Sequence, residues 1–287
     1  MKIVKIVALS LLLSFSTLAH TDDRQPAAAT TKLILRAGHK IAFHIWQGSL
    51  PVIVLDAGGG LDSSYWNTLV PELAKRTGCK IITYDRAGFG GSDEVPGPWN
   101  VQSATDDLAN GLEELGATHD VILVSHSLAG EIATYLARQH PQWISGVVLV
   151  DANVPQLFTD KFIDRSMVIY APIIAATKAA PPSQAGRQLL ALSQSFRETS
   201  QAFHRVTWPT EIPVIVVVSE QTPLKDAADA QWWRDAHQQF VNGAKNRKLV
   251  VADHSSHDVA HDRPDAIIQA IAEMVASSKS PQPVPKH

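Results

Sequence analysis

Cysteine is nearly absent: the 287 residues contain one, Cys79. A single thiol cannot form an intramolecular disulfide, so a disulfide-stapled scaffold is excluded and the fold must depend on its core. Hydrophobic residues make up 45% of the chain, which is enough for one large α/β domain or two small ones. We expect Cys79 to be a small buried apolar residue.

An excess of one charge is also missing. The sequence has 25 Lys and Arg against 28 Asp and Glu, a formal net charge of −3, and no basic patch stands out. Proteins that bind nucleic acids need such a patch to contact phosphates. We therefore expect no nucleic-acid partner.

The hydrophobic run at the N-terminus has the flanking residues of a targeting segment. Lys2 and Lys5 precede an apolar stretch over 6–13, which is followed by smaller residues up to Ala19. This pattern predicts a secretory signal peptide at 1–19, because the apolar run is too short to remain as a membrane span. We expect an exported protein, periplasmic or secreted, with no stable membrane anchor.

Short apolar runs typical of buried strands alternate with helical patterns along the rest of the chain. Eight such strands predict an α/β fold with a mostly parallel, doubly wound sheet, whose sites lie at the carboxyl ends of the strands. The core would comprise 32–151 and 211–278, with a flexible leader at 20–31 and a disordered tail at 279–287. The predicted strands are 32–36, 41–45, 52–55, 81–84, 121–124, 146–150, 213–218 and 248–252.

The segment 152–210 breaks this alternation and contains five prolines. A long insertion between strands is usually functional, so we predict a helical lid over the site. Trp232 and Trp233 are expected to pack a helix rather than to contact a ligand. The alternative to a lining role for the apolar side chains of the lid is that half of them simply pack the lid on the body. We expect eight of these side chains to line the pocket roof and select substrates: Leu157, Phe158, Phe162, Met167, Ile169, Tyr170, Phe196 and Phe203.

The clearest signal of chemistry is VILVSHSLAG, residues 121–130. A buried strand runs into Ser127 and then into helix-forming sequence, which is how a nucleophilic hydroxyl is presented at a strained turn. The positions two before and two after the serine must be small, and here they are Ser125 and Ala129. The alternative is a serine that merely caps an ordinary helix.

Two further segments fit the same chemistry. Gly58, Gly59 and Gly60 follow an early buried strand, and we predict that the backbone N–H groups of Gly59 and Leu128 hold the oxyanion of an acyl-transfer reaction. A phosphate-binding role fits poorly because neither nucleotide-binding glycine pattern is present. In the stretch 80–93, Asp85 and Arg86 are expected to pair with each other inside the protein.

The late segment 248–264 carries three histidines after a predicted strand. A serine hydroxyl needs an imidazole to take its proton, and His257 is the best placed. The same loop offers a rival, a zinc site built from Asp253, His254, His257, Asp258, His261 and Asp262. Because ligand spacing alone does not guarantee convergent geometry, we predict no metal and no cofactor.

Together these segments resemble the α/β-hydrolase family over nearly the whole chain after the signal peptide. The resemblance implies the order nucleophile, acid, histidine, which Ser127 and His257 respect. It implies an acid at a strand end: Asp151 follows the strand 146–150, whereas more members use the loop after the next strand, where Glu220 and Asp226 lie. We choose Asp151, with Glu220 and Asp226 as alternatives.

The resemblance implies a serine hydrolase that cleaves a small-molecule ester or related acyl bond, with relatives among carboxylesterases and lactonases. A serine at the turn disfavours the haloalkane and epoxide branches, which use aspartate there. A C–C or amide-bond hydrolase remains open. So does a small-molecule binding protein that has lost turnover on the same scaffold. Neither the substrate nor the oligomeric state follows from the sequence.

Overall fold

The computed structural model describes residues 28–278. The predicted signal peptide, most of the predicted leader and the predicted tail lie outside these residues. Within them, the chain forms an eight-stranded sheet. Its strands are β1 (Thr30–Arg36), β2 (His39–Trp46), β3 (Ser49–Asp56), β4 (Cys79–Asp85), β5 (Val121–His126), β6 (Ile144–Val150), β7 (Val214–Ser219) and β8 (Arg247–Ala252).

The strand order is β1-β2-β4-β3-β5-β6-β7-β8. β2 pairs antiparallel with β1 and β4, and all other neighbours are parallel. The predicted fold class, a mostly parallel doubly wound sheet, is confirmed. The order reverses at β3, which has β4 on one side and β5 on the other, and such a switch point leaves a crevice at the carboxyl ends of the strands.

The central strands are apolar because both faces of the sheet are covered. In β3, Val52 and Val54 belong to one hydrophobic core, whereas Ile53 and Leu55 belong to the other. β3 begins earlier than predicted, at Ser49, and its register shifts before Val52. Pro51 lies at this irregularity, which is where a residue without a backbone N–H is tolerated in a sheet.

Helices form the two outer layers. α1 (Val70–Thr77) and α8 (Pro264–Ser278) pack on one face, and α2 (Val101–Glu114), α3 (Ala129–Gln139) and α6 (Ala227–Asn242) pack on the other. A single turn of helix, α7 (Val259–Asp262), lies between β8 and α8. This three-layer arrangement leaves the carboxyl edge of the sheet free to build a site.

Between β6 and β7 the chain forms two long helices, α4 (Asp160–Ala179) and α5 (Gln184–His204). Thr159 and Ser183 cap their N-termini with side-chain hydrogen bonds, and Pro181 and Pro182 separate them. The two helices pack against each other above the carboxyl ends of the strands. None of the helices in 28–278 combines the length and hydropathy needed to cross a bilayer.

Candidate active site

Ser127 occupies a sharp turn between β5 and α3. Its φ is 53°, in the left-handed region that costs a non-glycine residue energy and is typical of functional turns. Ser125 and Ala129 are both buried, in agreement with the need for small residues there. Gly130 is required as well, because a Cβ on it would lie 2.3 Å from the carbonyl oxygen of Asn153.

The structure brings Ser127, His257 and Asp151 together in one hydrogen-bonded row. His257 Nε2 lies 2.9 Å from Ser127 Oγ. On the other side of the ring, His257 Nδ1 lies 2.7 Å from Asp151 Oδ2. With Nδ1–H donating to the carboxylate, Nε2 is left as the acceptor for the serine proton, so the tautomer is the one that a general base needs.

Asp151 is fully buried at the end of β6 and has several hydrogen-bond donors. Ser219 donates its hydroxyl to Oδ2 at 2.7 Å and its backbone N–H to Oδ1 at 3.1 Å, and Trp233 Nε1 donates to Oδ1 at 2.9 Å. Burial raises the pKa of Asp151, but the hydrogen bond and charge of His257, with help from His237 and Ser219, outweigh it and hold the pKa below its ordinary value. The carboxylate is therefore ionised and fixed in position.

The two alternative acids lie elsewhere. The Glu220 carboxylate accepts the backbone N–H of His254 on the exposed side of the loop. Asp226 caps α6, where its Oδ1 accepts the N–H groups of Ala228 and Asp229. Neither carboxylate contacts His257, whereas Asp151 does.

The glycine loop after β3 lies beside the serine turn because β3 and β5 are paired up to their ends, with Asp56 opposite Ser125. A Cβ on Gly59 would lie 3.4 Å from the Leu128 side chain. Gly59 and Leu128 both line the cavity that contains Ser127. Neither backbone N–H donates to another group within residues 28–278, so both are available to a ligand.

Arg86 holds the glycine loop in place through hydrogen bonds. Its guanidinium donates to Asp56 Oδ1 at 2.5 Å and to the backbone oxygens of Ala57 and Gly58. The expected Asp85–Arg86 pair is therefore wrong. Asp85 instead accepts from the N–H groups of Ser63 and Gly91 and contacts His44, because consecutive residues of a strand point to opposite faces of the sheet.

His126, which sequence reasoning missed, supports the His257 loop. Its Nε2 donates to the backbone oxygen of His257 at 2.9 Å, and its ring stacks on Tyr65. Burial, with a smaller contribution from the charge of His257, lowers the pKa of His126 to about 4. A neutral His126 can lie beside His257 without repelling an imidazolium there. Its position directly before Ser127 was the available signal.

Trp233 is the second residue whose role the sequence did not show. It was expected only to pack a helix, yet its indole N–H binds Asp151 and its ring lies edge-on to His257, with centroids 5.9 Å apart. It also lines the cavity. Trp232 packs against Phe162, as expected for a helix-packing side chain.

The other histidines of the late loop do not join His257. The His254 side chain is 90% exposed and lies 3.6 Å from Glu220. His261 Nδ1 lies 2.8 Å from Asp258, and its ring packs edge-on against Tyr65. Within residues 28–278, no three His, Cys, Asp or Glu side chains converge in a way that could hold a metal ion.

A cavity of about 840 Å³ opens above Ser127 and His257, beneath α4 and α5. This volume accommodates a drug-sized molecule rather than a single acetyl group. Six of the eight lid residues predicted to line it do so: Leu157, Phe158, Phe162, Met167, Tyr170 and Phe196. The prediction is wrong for the other two residues. Ile169 does not line the cavity, and Phe203 is buried in the core, against Phe158 and Tyr135.

Comparison with known proteins decides the family. The model of the alpha/beta hydrolase family matches residues 53–270, which include the serine turn, the glycine loop and His257. The chain belongs to the alpha/beta hydrolase family. The resemblance seen in the sequence is thereby confirmed, and so is the assignment to the hydrolases in this coarse sense.

The chain is also similar to individual known proteins. It is 28% identical over 239 residues to the uncharacterized protein YqjL of Bacillus subtilis (strain 168), covering 81% of this chain and 88% of that one. A match of 32% identity over 107 residues to the putative carbamate hydrolase RutD of Klebsiella pneumoniae (strain 342) covers 37% of this chain and 39% of RutD. A thermophilic esterase from Thermogutta terrifontis shares the fold, with a TM-score of 0.61 and 20% identity over 88% of this chain and 100% of the esterase.

Proposed function

We propose that this protein is a serine hydrolase that cleaves an ester or a related acyl bond of a small molecule through an acyl-enzyme. One observation carries the proposal: the hydrogen-bonded row from Ser127 through His257 to Asp151 ends at a cavity large enough for a substrate. A core serine that merely capped a helix would need neither the strained backbone nor the aligned imidazole.

In the first half-reaction Ser127 Oγ attacks the carbonyl carbon of the substrate while His257 Nε2 takes the hydroxyl proton. The carbonyl oxygen becomes an oxyanion and accepts the N–H groups of Gly59 and Leu128. The bond to the leaving group then breaks, and the proton on Nε2 passes to the departing oxygen. The product is an alcohol and an acyl group esterified to Ser127.

In the second half-reaction water takes the place of the alcohol. His257 Nε2 removes a proton from the water, the hydroxide adds to the acyl carbon, and the proton returns to Ser127 Oγ as the acid leaves. Asp151 keeps Nδ1–H of His257 in place and stabilises the imidazolium without taking its proton. No step of this mechanism requires a metal or a cofactor.

The apolar cavity supports an acyl substrate with a hydrophobic portion, and α4 and α5 would act as the lid over it. The esterase with the same fold and the relative named as a putative carbamate hydrolase are consistent with acyl chemistry. Export as a periplasmic or secreted enzyme belongs to the same proposal and is supported by the sequence pattern at 1–19.

The test is steady-state hydrolysis of a panel of p-nitrophenyl esters and lactones by the purified protein and by Ser127→Ala. We expect measurable turnover in the wild type and none above background in the variant. Ser145→Ala is the matched control, because this serine binds the Val121 backbone oxygen away from the cavity, and it should keep wild-type rates. Full activity in Ser127→Ala would refute the proposal, and a wild type that binds these esters without turnover would favour a binding protein.

A further inference from the structure

Beside Ser127 the cavity contains a hydrogen-bonding side chain that the proposed mechanism does not use. Asn153 lines the cavity close to Ser127, since its backbone N–H donates to the Ser127 backbone oxygen at 2.8 Å. Its side-chain Nδ2 donates to Glu131 Oε1 at 2.8 Å. A polar amide next to the nucleophile, in a cavity otherwise lined mainly by apolar side chains, requires an explanation.

Glu131 is an unusual partner. It lies in the first turn of α3, is only 3% exposed and forms no ion pair within residues 28–278. Within the described residues, only one side chain donates a hydrogen bond to this carboxylate, the amide of Asn153. A carboxylate buried with so little compensation is costly for stability, which makes a purely structural role a poor explanation for it.

The chemistry of the pair fixes the direction of the amide. An ionised carboxylate only accepts hydrogen bonds, so Glu131 must face the NH₂ end of Asn153. The carbonyl end, Oδ1, then faces away from Glu131, and it accepts no hydrogen bond from any residue of the described chain, 28–278. Oδ1 is therefore an acceptor available to a ligand in the cavity.

We propose that Asn153 Oδ1 accepts a hydrogen bond from a substrate O–H or N–H group close to the scissile carbonyl, and that Glu131 is the positioning residue that holds the amide in this orientation. The inference rests on the proposed function and narrows it. The preferred substrates are acyl compounds that carry a hydroxyl or amide N–H on the carbons next to the carbonyl and an apolar remainder.

Protonation of Glu131 provides a readout that a merely structural role would not give. Burial raises the pKa of Glu131 from its ordinary value of 4.5 to about 7, and the hydrogen bond from Asn153 opposes the rise. Burial and, to a smaller extent, the charge of Glu131 raise the pKa of Tyr135, one turn along α3. From the loop after β6, the neutral amide of Asn153 contacts Glu131. Below about pH 7 a protonated Glu131 can also donate to Oδ1, so the orientation of the amide is no longer fixed.

The experiment compares kcat/KM for p-nitrophenyl octanoate with kcat/KM for its α-hydroxy and β-hydroxy derivatives, at several pH values on either side of 7. We expect the wild type to prefer at least one hydroxylated ester by roughly fivefold to tenfold, the value of one hydrogen bond. The preference should be largest above pH 7 and decline below it. Any effect of pH that is common to the three esters cancels in the ratio of their kcat/KM values.

Two variants test the two residues separately. Asn153→Ala should lose the preference for hydroxylated esters at every pH. Glu131→Gln keeps the shape of the side chain but cannot ionise, so its preference should be reduced and independent of pH. Asn246→Ala and Glu273→Gln are matched controls on the surface and should retain the wild-type ratio and its pH dependence. If Asn153→Ala does not fold, the pH dependence of the ester preference in Glu131→Gln still tests the proposal.

The outcomes separate this inference from the proposed function. Ester turnover without any preference for the hydroxylated compounds would overturn the role of Asn153 and leave the serine hydrolase intact. A preference that survives Asn153→Ala, or a Glu131→Gln profile identical to the wild type, would overturn it too. Absence of all turnover together with an unreactive Ser127 would refute both.

Discussion

At the scale of single residues, the chemistry depends on how Asp151 is held. Its φ of 42° and its three hydrogen-bond donors besides the imidazole point the carboxylate at His257. The sequence placed Asp151 at the end of a buried strand, which was enough to name it as a candidate. It could not reveal Ser219 or Trp233 as partners, since their contacts depend on how β7 and α6 pack against β6.

Asp151→Asn should lower kcat on the order of 10⁴-fold, because the amide favours the wrong tautomer of His257. Ester hydrolysis and circular dichroism of the purified variant check this, and we expect the fold to survive. Glu220→Gln and Asp226→Asn serve as controls and should remain within a few-fold of the wild type. Near-normal turnover in Asp151→Asn with a collapse in one of the two controls would move the acid to that residue.

Glu131 also makes stability depend on pH in a defined direction. Its pKa in the folded state, about 7, lies above its ordinary value of 4.5, so the folded protein binds the proton more tightly than the unfolded chain does. The free energy of unfolding should therefore fall as pH rises from about 4.5 to about 7. Relative to Glu131→Gln, the wild type should lose about 3 kcal/mol over this interval.

Urea unfolding of both proteins at pH 5 and pH 8 measures this effect, because the other titrating groups are common to both and cancel in the difference. If the difference in unfolding free energy between wild type and variant is the same at both pH values, burial does not raise the pKa of Glu131.

At the scale of elements, each strand was predictable, whereas the helices above the site were predicted only as a helical insertion over 152–210, without their number or bounds. Buried parallel strands such as β5 and β6 are continuous apolar runs, and short runs bounded by turns are distinctive. α4 lacks a regular apolar face: only Phe162, Ile163 and Ser166 of its twenty residues are buried, and Pro172 lies inside it. A helix whose apolar residues line a cavity does not show the pattern of a helix packed on a core.

Phe203 anchors the C-terminal end of α5 in the hydrophobic core. Its ring is fully buried and packs edge-on against Phe158, with centroids 5.6 Å apart. Phe203→Ala should lower the free energy of unfolding by about 3–5 kcal/mol, the usual cost of removing a buried phenylalanine. Val168→Ala on the outer face of α4, where the side chain is 66% exposed, should change it by less than about 0.5 kcal/mol.

Both variants are measured by urea denaturation with the wild type as reference. A Phe203→Ala protein as stable as the wild type would mean that Phe203 does not anchor α5 in the core.

At the scale of the whole molecule, the position of the site follows from sheet order. The order reverses at β3, so the glycine loop after β3 and the serine turn after β5 meet at one edge of the sheet, and the ends of β6 and β8 bring Asp151 and the His257 loop to the same edge. The sequence predicted this meeting because carboxyl ends of parallel strands share an edge. The Asn153–Glu131 pair escaped prediction because neither residue belongs to a recognisable motif.

The most direct test of the central claim is reaction of the purified protein with a fluorophosphonate, followed by mass spectrometry of the intact chain and of its peptides. We predict one adduct per chain, located on Ser127, and strongly slowed labelling in His257→Ala because the hydroxyl then lacks its base. A wild type that stays unlabelled, or an adduct on any other residue, would contradict the account.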